Sequence, residues 1–107
     1  MSKCWTVRDE SGNLLAILDS LKDATLLLED YPQPETYLII TEDCASAVGE
    51  LRRYIYERDE CKCVACGQGL TLSQMYMHER KNRGQGGVRS RENCETLCFY
   101  CNLRAAH

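Results

Sequence analysis

At 107 residues, with 27% of them charged, the chain has room for one domain or for very small units that share a core. No apolar run approaches the roughly 18 residues needed to cross a bilayer. The start, Met1-Ser2-Lys3-Cys4-Trp5, lacks the apolar stretch of a secretory leader. No membrane partner and a soluble, cytoplasmic protein are therefore expected. The net charge of −3 hides an asymmetry. Residues 1–59 carry six Lys/Arg against twelve Asp/Glu, a net −6, whereas residues 60–107 carry seven against four, a net +3.

The N-terminal part reads as a small ββαβ unit over residues 1–44. Trp5-Thr6-Val7 alternates like a strand, Glu10-Ser11-Gly12-Asn13 is a turn, and Leu14 to Leu18 is a second strand. Ser20 with Asp23 three residues on resembles a capping box. It opens a helix whose Leu21, Ala24, Leu27, Leu28 and Tyr31 recur at helical spacing, ended by Pro32 and Pro34. Thr36 to Thr41 is rich in β-formers and reads as a third strand. A linking helix follows within 45–59, with Val48, Leu51 and Ile55 as its apolar stripe and Arg52, Arg53 and Arg58 facing elsewhere. Nothing in residues 1–58 has a spacing that demands chemistry. This half reads as a scaffold, or as an acidic surface for a protein partner or a second copy of the chain.

The last stretch, 60–107, is different. Cys63/Cys66 and Cys98/Cys101 are two Cys-x-x-Cys pairs, and together they supply the four thiolates of a closed tetrahedral Zn²⁺ site. Such spacing without a leader favours metal in a reducing compartment over disulfides. Of the eight cysteines, Cys4, Cys44, Cys61 and Cys94 are left over and read as small buried hydrophobes. Cys61 lies close enough to Cys63 to compete as a ligand. Between the pairs, Arg80, Lys81, Arg83, Arg89 and Arg91 concentrate positive charge on one predicted loop, as phosphate contact requires.

The run Arg58-Asp59-Glu60-Cys61-Lys62-Cys63-Val64-Ala65-Cys66-Gly67 resembles the opening of zinc-bearing HNH endonucleases. The resemblance continues through His78-Glu79, Arg83-Gly84-x-Gly86-Gly87, Glu92-Asn93 and Cys98-x-x-Cys101-Asn102. It implies a ββα-metal fold, with Tyr76 to Glu79 ending the first strand, Cys94 to Leu97 as the second, and a helix beginning near Asn102. The whole chain is then α+β: a ββαβ unit, a linking helix and a zinc-stapled ββα-metal unit.

The activity implied is metal-dependent hydrolysis of DNA phosphodiester bonds, with nicking as the elementary act. A catalytic divalent ion, Mg²⁺ or Mn²⁺ or another, polarises the phosphate while a base deprotonates water. Counting back from Gly86-Gly87 without gaps puts His78 on the ligand position and Glu79 on the base position. The other register makes His78 the base and leaves the soft thioether of Met77 where a hard ion wants oxygen or nitrogen. Asn93 falls on the residue that orients the base through its amide, and Asn102 on a ligand of the catalytic ion. His107 is the further candidate ligand, although it lies about 140° around a regular helix from Asn102. The alternative reading is a zinc-dependent nucleic-acid-binding module whose catalytic centre has decayed.

Overall fold

The structure is a computed structural model that describes residues 2–105. His107, named above as a ligand, lies outside the described residues. The α+β class holds.

Strands β1 (Lys3–Arg8) and β2 (Leu14–Leu18) form an antiparallel hairpin. Its turn is closed by the Asp9 carboxylate, which accepts the backbone N–H groups of Ser11 and Asn13 at 3.0 and 2.9 Å. Gly12 supplies the positive φ that the turn needs. Helix α1 (Leu21–Leu28) starts where Ser20 accepts the N–H of Asp23. It stops three residues before the expected Tyr31, because Pro32 disfavours α backbone at the residue before it. The chain from Glu29 to Tyr31 continues in i→i+3 bonds, and Tyr31 still packs against the core.

The third strand begins later than the sequence suggests. Pro34–Thr36 forms a 3-10 turn after Gln33 at φ +54, so β3 runs over Leu38–Asp43. The Asp43 side chain then caps α2 (Cys44–Arg58) by accepting the Ser46 N–H. The buried stripe of α2 is Ala47, Leu51 and Ile55, with Val48 half-buried beside it.

Beyond α2 come β4 (Tyr76–Glu79), the two-residue β5 (Arg89–Ser90), β6 (Cys94–Leu97) and α3 (Phe99–Ala105). Both long strands match the expected spans. The helix starts at Phe99 rather than near Asn102, immediately after Cys98, whose sulfur accepts the Cys101 N–H at 3.5 Å.

The first sheet has the order β3-β1-β2-β5, and β4 pairs with β6 in a second. One core, under α1, contains Val7, Ala16, Leu18 and Ala24. A second lies against α2 and joins Cys4, Leu14, Ile17, Leu51 and Ile55 to Met75 and Cys94. Sheet and core therefore both run across the boundary expected at residue 60. The pairing of Ala16 with Ser90 and Ile17 with Arg89 makes the basic loop an edge strand of the N-terminal sheet.

Candidate active site and metal centre

The Cys63 knuckle is a tight turn in which the Cys63 N–H donates to Gln68 and the Gly67 N–H returns to Cys63 at 2.8 Å. Gly67 takes a positive φ there. The Val64 N–H donates to Thr96 at 3.0 Å, which fixes this knuckle to β6, while Cys98 and Cys101 sit at the junction of β6 and α3. The four sulfurs lie within 4.8 Å of one another, with Cys66 and Cys98 at 3.8 Å. A tetrahedral zinc with Zn–S near 2.3 Å sets its sulfurs about 3.8 Å apart, so the donor set fits that ion. Cys61 is exposed and outside the cluster. Cys4 and Cys94 are buried and Cys44 half-buried, as small hydrophobes are.

The thiols are electrostatically unequal. Burial works to raise the Cys63 thiol, but backbone N–H groups of Cys98, Cys66 and Ala65 outweigh it and bring it down to about 6. Cys101 is pushed up to about 12, first by its hydrogen bond with Cys98 and then by that with Cys63. Four thiols this close cannot all ionise on their own, and a divalent cation removes that conflict.

In the β4–β6 hairpin, Tyr76 lies opposite Leu97, Met77 opposite Thr96, His78 opposite Glu95 and Glu79 opposite Cys94. Successive strand residues point to opposite faces. Met77 and Cys94 pack into the α2 core, and the Thr96 hydroxyl donates to Ile55 of α2. Leu97 packs with Cys63 and Cys98 on the other side. His78 and Glu95 therefore share the face turned to α3 and the cysteine cluster, and Glu79 shares the face turned to α2 and β5. The structure does not bring His78 and Glu79 onto one face.

Glu79 is engaged where it lies, 3.5 Å from the Arg83 guanidinium and 3.8 Å from that of Arg89. Its Oε1 is buried without a hydrogen-bond partner. Asn93, expected to orient the base, bonds to loop backbone. Its Oδ1 accepts the Lys81 N–H, and its Nδ2 donates to the carbonyls of Lys81 and Val88, all at 2.9 Å. It clips the loop after Glu79 rather than the Glu79 carboxylate.

The five loop cations divide. Lys81 is exposed. Arg80 is exposed but steadied by Glu95 at 2.9 Å and the Glu92 carbonyl. Arg83 bridges Glu79 to Asp19, and Arg89 is held in β5. Arg91, expected to contact phosphate, is engaged within the protein. Its Nε donates to Leu14 at 2.7 Å, its N–H donates to Leu15, and its guanidinium lies 3.5 Å from the Tyr54 ring centre. That residue fastens the loop to the hairpin. Arg52 and Arg58 are likewise fasteners, donating to Leu72 and Met75 and to Arg91 and Cys94 respectively.

Arg83 and Arg89 also line a cleft of about 460 Å³ beneath α1, faced by Asp19, Asp23 and Asp30. Those carboxylates repel a phosphate chain, so this cleft is a poor path for DNA. Sequence reasoning misses Glu95 as the residue across from His78. The register of two four-residue strands carried that signal.

Asn102 is half-buried on α3, which packs against both β4 and β6. Among the described residues, the four cysteines are the one cluster of three or more His, Cys, Asp or Glu side chains suited to a metal. No described helix is long and apolar enough to cross a membrane.

No family model and no solved structure matches the chain. A CRISPR-associated endonuclease Cas9 from Corynebacterium diphtheriae is 38% identical over 47 residues, which is 43% of this chain and 4% of that protein. The chain thus spans a small fraction of that relative's length. The similarity is partial and to an endonuclease, and it accompanies a four-cysteine cluster that fits zinc.

Proposed function

We propose that the chain is a zinc-stapled, metal-dependent DNA endonuclease of HNH type, acting by nicking. The observation that carries this reading is the position of His78, on the strand face turned to α3 and the cysteine cluster. The partial likeness to a Cas9 endonuclease adds to it.

His78 is the residue at the reacting centre, and Asn102 on α3 is its partner in holding a catalytic ion. His78 and Asn102 would hold a divalent ion that, when bound, would supply polarisation of the phosphodiester and neutralisation of charge on the leaving oxygen. Arg80 and Lys81 grip the DNA backbone. Glu79 works through Arg83 and Arg89, holding the basic loop where it pairs with the edge of the first sheet. Residues 60–107 carry the chemistry, and the N-terminal unit braces its loop.

The test is cleavage of supercoiled plasmid by zinc-loaded protein with Mg²⁺, Mn²⁺, Co²⁺ or Ni²⁺, and with EDTA as control. Ion-dependent nicking that disappears in His78→Ala and survives at a reduced rate in Glu79→Gln is the expected result. Loss in Glu79→Gln with full activity in His78→Ala would reverse the two roles. The engagement of Glu79 by two arginines favours one second reading, a zinc-dependent nucleic-acid binder without catalysis. Salt-sensitive DNA binding with no cleavage under any ion would select it.

A further inference from the structure

The four tyrosines near the knuckles fall into two groups. Tyr54 is covered by Arg91, and the Tyr56 hydroxyl donates to Leu70 at 2.6 Å. Tyr76 and Tyr100 are not tied down in this way. Tyr76 is 42% exposed and Tyr100 69%, and between them Phe99 is 50% exposed. Large aromatics so open are costly to leave in water and seldom stand in threes without a use.

The three rings are contiguous without consuming one another's faces. Tyr76 and Phe99 lie 6.0 Å apart at 51°, and Phe99 and Tyr100 lie 5.5 Å apart at 78°. These are tilted and edge-on contacts, which leave flat π surfaces open. They line a cavity of about 320 Å³ with Gln68, Ser73 and Gln74. That volume is near the lower end for ligand sites, about 300–1,000 Å³, and suits one small planar group. Amide and hydroxyl side chains beside the rings match the donors and acceptors on a base edge. No Asp or Glu side chain lines the cavity, and its one ionisable wall residue besides the tyrosines, Cys98, belongs to the four-cysteine cluster.

The cavity also adjoins the centre assigned above. Tyr76 and His78 are two residues apart on one strand face, a rise of about 6.6 Å. We propose that Tyr76, Phe99 and Tyr100 form a stacking site for an unpaired DNA base, which sets the neighbouring phosphodiester against His78. The substrate class is then single-stranded or locally melted DNA. This rests on the nuclease reading for the word substrate, but the binding stands by itself.

The test compares binding of the full-length, zinc-loaded protein to a fluorescent single-stranded oligonucleotide and to the same sequence as a duplex. Cleavage of a duplex with a short unpaired bubble is measured in parallel. The wild type is expected to favour the single strand, and to cut beside the bubble where it cuts at all. Tyr100→Ala should lower single-strand affinity about 5- to 150-fold, the range for losing one base–aromatic stack. Tyr100→Trp should keep it, and Tyr100 is open enough that neither change disturbs the fold. Equal affinity of wild type and Tyr100→Ala for the single strand would overturn the proposal. So would a wild-type dimer that Tyr100→Ala dissociates, because the rings would then be an interface between copies. Nicking with no single-strand preference would overturn the stacking site and leave the nuclease standing. Single-strand binding lost in Tyr100→Ala, with no cutting under any ion, would uphold the stacking site and remove the nuclease.

Discussion

Asn93 holds both peptide units that flank the Lys81 Cα, accepting the Lys81 N–H and donating to the Lys81 carbonyl at 2.9 Å each. A third bond reaches Val88 across the loop. One side chain thus sets the spacing between the end of β4 and the start of β5. Asn93→Ala should cost about 2 kcal/mol, since each such bond is worth roughly 0.5–1.5 kcal/mol net. Asn93→Asp should cost more, because a carboxylate would face two carbonyls it cannot donate to. Urea unfolding gives both values. Equal stability of Asp and wild type would show that the clip is not formed.

Gly87 has no room for a side chain. A Cβ there would lie 1.7 Å from the Lys81 carbonyl oxygen and 2.7 Å from that of Asn82. Gly84 stands in contrast, with its nearest neighbour, the flexible Asn82 side chain, at 3.4 Å. Gly84→Ala should change stability by less than about 1 kcal/mol. Gly87→Ala should force the loop open, with a loss of about 3 kcal/mol or more and faster hydrogen exchange at Lys81 to Val88. Matching exchange rates in the two variants would count against this packing.

Arg91 and Lys81 should separate stability from nucleic-acid contact. Arg91→Ala is expected to lose about 2 kcal/mol through its charged Nε bond to Leu14 and its contact with the Tyr54 ring. It should leave the salt dependence of DNA binding unchanged. Lys81→Ala should do the reverse, lowering the slope of log affinity against log salt by about 1 with no change in melting temperature. Salt titration of binding alongside thermal melts reads both, and the opposite pattern would place Arg91 on the DNA.

Asp59 links the end of α2 to β6, accepting the Thr96 N–H at 2.9 Å while paired with Arg58. Burial works to raise its carboxyl, but the hydrogen bonds from Arg58 and Thr96 hold it below the ordinary value of 3.8. The folded state therefore binds this proton less tightly than the unfolded chain. Its stabilising contribution is complete above about pH 4 and fades as pH falls through the lower folded-state value. Asp59→Asn should be less stable than wild type at pH 7, and the difference should shrink below pH 4. A constant difference across that range in chemical denaturation would contradict the linkage.

Zinc removal should act on part of the molecule. Strong chelation is expected to melt α3 and the Cys63 knuckle, since their shared core is only Cys63, Leu97 and Cys98 with a few half-buried neighbours. The sheet carrying Val7, Ala16 and Leu18 should outlast it. Circular dichroism with hydrogen exchange tests this. Full retention of α3 in EDTA, with no zinc in the purified protein by elemental analysis, would rule out a metal staple.

Some of this was legible beforehand. The two Cys-x-x-Cys pairs follow from local spacing, which survives folding, and the spans of β4 and β6 are what the resemblance to HNH endonucleases implies. The intramolecular contacts of Glu79 and Arg91 follow from neither. A carboxylate next to a histidine in sequence looks like its partner, yet strand alternation turns the two apart. An arginine in a polar loop looks solvated, and only tertiary placement puts its Nε on the Leu14 carbonyl. The pairing of β2 with β5 is equally hidden, because two residues are too short for a periodic pattern.

That short pairing bears on the order in which the chain assembles. The bond from Arg91 to Leu14 spans 77 positions, so the basic loop cannot settle until the N-terminal hairpin exists to receive it. Contacts that distant are entropically late to close. The segment from Lys81 to Arg91 is then the last part to order on folding and, with two residues of ladder to hold it, among the first to open.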